Sequence, residues 1–190
     1  MNLILTRHGE TIENQDGLLS GHLDGTLSES GIEQSLQLAE RLRIEKIHSI
    51  YCSDLKRSRE TAEVIARLHP DVSLYLDERL RETDYRGLTG KPKRYFNFRN
   101  WSPEVESRED MQARVKDLLV EVYKKHPSDT ILFVGHAGSI RALLTVLDKK
   151  PAHAMEEIRG LTNTAIFMYK VEGNSYTKVL YNSIEHLSST

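Results

Sequence analysis

Two histidines in this chain follow short apolar runs and are flanked by small or cationic residues. His8 lies in Thr6-Arg7-His8-Gly9-Glu10-Thr11, with Asn14 just beyond. A neutral imidazole nitrogen is a good nucleophile toward phosphorus, and Arg7 offers a planar fork of donors matched to phosphate oxygens. Gly9 lets the backbone approach a ligand. His136 repeats the pattern in Val134-Gly135-His136-Ala137-Gly138-Ser139-Ile140-Arg141. A helix beginning there would aim free N–H groups at an anion. One Arg-His pair is commonplace at a strand end. Two strand ends that each deliver a histidine point to a shared site.

Two further segments carry charge in unusual places. Ser53-Asp54-Leu55-Lys56-Arg57-Ser58-Arg59-Glu60-Thr61-Ala62 puts cations in the first turn of a helix, against the dipole, a placement that a bound anion would favour. Lys56 and Arg59 read as a solvated face, and Arg57 either serves an anion or pairs with Glu60. Leu80-Arg81-Glu82-Thr83-Asp84-Tyr85-Arg86-Gly87-Leu88-Thr89-Gly90 is a polar loop whose carboxyl group could protonate a leaving alcohol. Arg141 falls inside a helix and reads as a surface or core-edge charge.

These groups need a frame, and the chain supplies alternating strand and helix patterns. Strands are expected at Asn2–Thr6, Ile47–Cys52, Val72–Leu76 and Thr130–Val134, with Ala165–Val171 and Thr177–Tyr181 paired around Gly173-Asn174. Ile32, Leu36, Ala39 and Leu42 recur at helical spacing behind Ser28 and Ser30 as N-caps. A second helix carries Leu55, Ala62, Ile65 and Leu68, opened by Ser53 and Asp54 and stopped by Pro70. Ser107 and Asp110 look like a capping box ahead of Met111, Val115, Leu118, Leu119 and Val122. Ile140–Leu147 closes the set. The alternation predicts a three-layer α/β/α sandwich with a mostly parallel central sheet, one domain over 1–190, and a ligand site beyond the carboxyl ends of its strands.

Composition narrows the chemistry. The net charge of −2 gives no global field for nucleic acid or anionic membrane, so an anion site must be local. The single cysteine, Cys52, forms no intrachain disulfide and fits a reducing compartment. The apolar run Leu3–Leu5 is far below the ~20 residues of a membrane span and too short for a signal peptide, so the cytoplasm is the expected location. A metal on His8 and His136 would be repelled by the two arginines, and no carboxylate completes a tight ligand spacing; no metal or cofactor is expected.

In their order, these segments resemble the histidine phosphatase superfamily, the phosphoglycerate mutase-like branch 1. Arg7–Thr11 matches its Arg-His-Gly-Glu-Thr signature and Asn14 its following asparagine. Gly21, Asp24, Leu27, Ser28 and Gly31 approximate its next loop, and Ser53–Ala62 its Ser-x-Leu-x-Arg-x-x-x-Thr-Ala segment. Leu80–Gly90 looks like its Leu-x-Glu loop, and Val134–Arg141 like its second histidine motif, with Ala137 where glycine is frequent. The resemblance implies the same mostly parallel α/β fold. It implies that His8 becomes phosphohistidine, that Arg7, Arg57 and His136 surround the phosphoryl group, and that Glu82 is general acid and then general base. Asn14, Gly21 and Ala137 would complete the phosphate pocket.

The acceptor separates phosphatase from mutase. By resemblance, mutases carry longer insertions that shield phosphohistidine from water. Here residues 91–106 form at most a small lid, so hydrolysis of a small phosphorylated metabolite is favoured. That segment is basic and aromatic, and serves either as a substrate lid or as cover for the domain edge. A phosphoglycerate mutase-type transferase, a non-catalytic phospho-ligand-binding regulator and a phosphoprotein phosphatase are the alternatives. Leu- and Tyr-rich faces are either core or a homodimer interface.

Overall fold

The computed structural model describes residues 1–97 and 101–187. Its centre is a six-stranded sheet in the order β3-β2-β4-β1-β5-β6. The strands are β1 (Asn2–Arg7), β2 (Ser49–Cys52), β3 (Ser73–Leu76), β4 (Thr130–Gly135), β5 (Ile166–Glu172) and β6 (Ser175–Ser183). The pairs β1–β4, β4–β2 and β2–β3 are parallel; β5 and β6 add an antiparallel hairpin beside β1. The sandwich with a mostly parallel sheet is therefore the observed fold.

Strand alternation decides which residues face which layer. On one face Leu3, Leu5, Ile131, Phe133 and Phe167 pack under α4 (Arg108–Lys125) and α5 (Ala137–Leu147). On the other, Ile4, Leu132, Val134 and Ile50 pack under α2 (Glu29–Leu42) and α3 (Lys56–Ala66). Both cores are nearly water-free, which holds the strand ends, and the polar residues that follow them, in fixed positions. A short α1 (Ile12–Gln15) is capped by Thr11.

Several local expectations shift. Ile32 and Leu36 are about half exposed (50% and 48%); Gly31, Ser35, Leu38, Ala39 and Leu42 form the buried stripe of α2. The helix is rotated because Gly31 lies against the main chain of Glu10, where a Cβ would come within 1.9 Å of the Glu10 carbonyl oxygen. Close approach to the loop after β1 thus overrides the hydrophobic pattern. Ser28 caps α2 by accepting from Gly31 N at 3.0 Å. Helix α3 ends at Ala66, and Leu55, not Ser53 or Asp54, occupies its N-cap. Asp54 is committed to an ion pair with Arg81, and Asp24 accepts from Lys56 N at 3.1 Å in its place. Ser107 caps α4 as expected, accepting from Asp110 N at 3.0 Å. Helix α5 begins at Ala137, three residues before the expected Ile140.

Part of the expected lid, Phe98, Arg99 and Asn100, falls outside the described residues. From the rest, Phe96 and Val105 join Leu19 and Tyr85 in a third, small core, with Leu88 and Trp101 against it. Phe96 meets Tyr85 and Trp101 edge-on at ring separations of 5.1 and 4.9 Å. Backbone bonds Leu19 N to Lys91 O (2.8 Å), Gly90 N to Leu19 O (2.7 Å) and Lys93 N to Gly17 O (2.8 Å) tie this segment to the 17–19 loop. Among the described residues no helix is long and apolar enough to cross a membrane.

Candidate active site

A cleft of about 240 Å³ opens beyond the carboxyl ends of β1 and β4. Arg7 and His8 reach it directly from the end of β1. Arg57 enters from the first turn of α3, and Ala137 and Arg141, one helical turn apart on α5, share its wall. Asn14 comes from α1, Glu82 and Tyr85 from a loop, and Lys93 from a single 3-10 turn.

The two imidazoles meet, their ring centroids 5.0 Å apart and both rings buried. His8 Nδ1 lies 2.6 Å from the Gly9 carbonyl oxygen. A carbonyl only accepts, so Nδ1 carries the proton and Nε2 keeps the lone pair. Arg57 Nε donates to that Nε2 at 3.2 Å, which requires the same tautomer. His136 stands behind His8, and neither of its ring nitrogens has a hydrogen-bond partner among the described residues. A buried polar atom left unpaired costs about 1–3 kcal/mol and calls for a functional explanation.

The arginines are held from behind. Arg57 Nη2 donates to Gly21 O at 2.9 Å, and Nη1 donates to Leu23 O and to Asp24 O, the latter at 3.1 Å. It does not pair with Glu60, which Lys56 approaches at 3.8 Å instead. Arg59 pairs with Glu63 on the same exposed face. Arg7 donates from Nη1 to Leu161 O at 2.7 Å and from Nη2 to Asn14 Oδ1 at 3.3 Å, while its buried Nε has no partner among the described residues. Gly21 thus stands one layer back, its carbonyl orienting Arg57 rather than lining the cleft. Thr61 explains the Thr of the α3 motif: its hydroxyl accepts from Gly9 N at 3.0 Å and donates to Arg57 O at 2.8 Å, linking the loop after β1 to α3.

Glu82 sits at the N-terminus of α5. Its Oε1 accepts from Gly138 N at 2.8 Å and Thr83 N at 2.7 Å. A Cβ at position 138 would fall 2.1 Å from that oxygen, so the contact needs glycine. The early start of α5 is what brings this amide to the carboxylate. Arg114 Nη2 and His22 Nε2 hold the Glu82 carbonyl oxygen at 3.2 and 3.0 Å.

Charge in the cleft is one-sided. Arg7, Arg57, Lys93 and Arg141 face one carboxylate, Glu82. Burial, reinforced by Arg57 and Arg7, holds the His8 imidazole well below the usual histidine range. Burial does the same for His136, with Arg57, His8 and Arg7 adding to it. Both rings are therefore neutral at pH 7, as a nucleophile requires. Burial lowers Arg7 to about 10, which still leaves it charged. Lys93 and Arg141 are also lowered by burial. Cations concentrated where they are poorly hydrated make a strong anion site. Among the described residues no cluster of three or more His, Cys, Asp or Glu side chains has a metal-holding arrangement.

Sequence reasoning underrated Arg141, whose position four residues after Ala137 was the available signal. It also passed over Tyr85 as a wall residue, Arg114 behind Glu82, and Asn163, whose contacts nothing in the local sequence announces, whereas Lys93 lies in the basic 91–106 segment read as a lid or as domain-edge cover.

The sequence profile of the histidine phosphatase superfamily (branch 1) matches residues 3–184. The chain belongs to this superfamily. Phosphoglycerate mutase-like protein 4 of Arabidopsis thaliana is 30% identical to it, over 99% of this chain and 87% of that protein. The metal-independent phosphoserine phosphatase of the same plant is 28% identical, over 98% and 83%. A mutant phosphoserine phosphatase of Entamoeba histolytica, solved in complex with phosphoserine, superposes with a TM-score of 0.87 at 26% identity, covering 98% of each chain. Relatives of this chain thus include phosphatases, one of them metal-independent, which supports a hydrolase role.

Proposed function

We propose that this histidine phosphatase hydrolyses small phosphate monoesters through a phosphohistidine on His8. The observation that carries the reading is the pair of neutral imidazoles 5.0 Å apart among guanidinium groups, with His8 Nε2 fixed as the basic nitrogen.

The phosphoryl group enters between Arg7, Arg57 and Asn14, and His8 Nε2 attacks in line. The phosphorus–oxygen bond to the leaving alcohol breaks as the phosphorus–nitrogen bond forms. Arg57 exchanges its bond to His8 for one to a phosphoryl oxygen, and His136 supplies a further hydrogen bond. Donors already fixed in a water-poor site stabilise the spreading charge without reorganising. The Glu82 carboxyl group, as general acid, gives a proton to the leaving oxygen. The carboxylate then takes a proton from water as that water attacks phosphohistidine, which restores His8 and releases inorganic phosphate. No metal is required in this scheme, since the guanidinium groups carry the counter-charge.

Lys93 and Arg141 line the same cleft as further cations. They favour a leaving alcohol that carries its own anionic group, such as a carboxylate; phosphoserine, bound by the Entamoeba relative, is of this class. A phosphate-release screen over phosphoserine, phosphorylated hydroxy acids, sugar phosphates, nucleotides and phosphopeptides tests the reading. Release with acid-labile phosphate on His8, both lost in His8→Ala, supports it. Folded wild-type protein inactive on every ester sinks it, and transfer to a second alcohol in preference to water makes the protein a mutase.

A further inference from the structure

The segment entering β5 grips the loop after β1 from behind the cleft. Leu161 O accepts from Arg7 Nη1 at 2.7 Å, and Thr164 N donates to Arg7 O at 3.1 Å. Between them, Asn163 Nδ2 lies 3.0 Å from His8 O and 3.2 Å from Asn14 Oδ1. Asn14 Oδ1 also lies 3.3 Å from Arg7 Nη2 and 3.4 Å from Thr11 N.

Chemistry fixes both amide orientations. Arg7 Nη2 and Thr11 N can only donate, so the Asn14 atom they meet is oxygen. The His8 carbonyl can only accept, so the Asn163 atom that meets it is nitrogen. With Oδ1 occupied, Nδ2 is the polar atom that Asn14 offers to a ligand in the cleft it lines.

We propose that Asn163 is a positioning residue of the phosphoryl site: it locks the Asn14 amide so that its N–H groups, not its oxygen, face the bound oxyanion. Without that donor the Asn14 oxygen keeps only its two longer contacts, Arg7 Nη2 at 3.3 Å and Thr11 N at 3.4 Å, so the amide that faces the oxyanion and the partner of Arg7 are both held less firmly. The backbone supports the assignment independently. Thr164, next in sequence, is fully buried at φ +58°, a left-handed conformation that branched residues avoid. Its hydroxyl contacts His186 Nε2 at 3.2 Å, which anchors the bend. Strain of this kind persists where surrounding structure demands it, and here it directs Asn163 and the Thr164 N–H toward the same loop.

The inference rests on the cleft being a phosphoryl site, but it is testable without turnover. Tungstate and inorganic phosphate binding is measured calorimetrically for wild type, Asn163→Ala, Asn14→Ala and the double variant, alongside kcat and KM. Asn163→Ala is expected to weaken oxyanion binding and lower kcat/KM by about ten-fold, the scale of a lost hydrogen bond to a charged group. In the Asn14→Ala background the same change is expected to cost less than about two-fold, because the residue acts through Asn14. Multiplying effects, or an Asn163→Ala loss below two-fold, overturn the proposal. Asn163→Asp keeps the shape without the two donors and should lose at least as much. Wild-type affinity in that variant also overturns it, and it carries the test if Asn163→Ala fails to fold. Wild-type protein that binds tungstate but hydrolyses no ester sinks the proposed reaction while leaving this one standing on the binding data.

Discussion

The cleft has two halves built in different ways. The half around His8 hangs from strand ends and helix starts inside the two large cores, and each guanidinium there is braced by main-chain carbonyls. The half around Lys93 and Tyr85 hangs from loops, and its wall is the small core of Leu19, Tyr85, Phe96 and Val105. Rigid elements hold reacting atoms to the tolerance that in-line transfer requires. Loops on a separate small core can change without disturbing the sheet. Under the proposed function, the comparison assigns a division of labour: chemistry to the first half and choice of substrate to the second.

Substitutions in the two halves should therefore differ in kind. The largest effect is expected for His8→Ala, which removes the proposed covalent nucleophile; kcat on any accepted ester should fall by at least about 10³-fold, with loss of the trapped phosphoenzyme. Arg57→Ala should cost about 10²–10³ in kcat, the magnitude of removing a preorganised oxyanion donor, and Arg57→Lys should recover little of it because a single ammonium cannot satisfy three carbonyls and the phosphoryl group. Both losses should be the same for every substrate. Lys93→Ala should raise KM about ten-fold for esters with an anionic leaving alcohol and leave p-nitrophenyl phosphate within about two-fold. A uniform loss across substrates would erase the distinction between the halves.

The smallest effect concerns pH and stability. His8 and His136 are held neutral by burial, well below the unfolded value of about 6.5. Below that value the unfolded chain binds protons that the native site refuses, so stability is complete above about pH 6.5 and declines as the pH falls toward the native values. Thermal unfolding followed from pH 7.5 to 5.5 should show this decline. His136→Gln, which removes one of the two groups, should flatten it, and an unchanged slope would mean that this half of the cleft is not the dry, cationic place its geometry describes.

The residues gathered at the cleft were largely legible in the sequence because each motif is local. Arg7-His8-Gly9, Arg57 and His136-Ala137-Gly138 sit beside their own strands, and sheet topology brings strand ends together. Arg57 was left undecided between an anion and Glu60, since one turn of helix allows both. Tertiary structure removed the Glu60 pairing, delivering the carbonyls of Gly21, Leu23 and Asp24 to the guanidinium. Ile32 and Leu36 mark the opposite failure: hydrophobic spacing put them inside, yet close approach at Gly31 turned them outward.

By itself, then, the chain determined the alternation of strands and helices, the two histidines, and the family whose fold brings them together. These follow from local periodicity and from side-chain chemistry that does not depend on distant residues. Only the tertiary structure decided that Arg141 reaches the cleft, that Arg114 and His22 hold Glu82, and that Asn163 meets Asn14 from 149 residues away. Such contacts depend on how separate elements dock, and short-range sequence spacing carries no record of that.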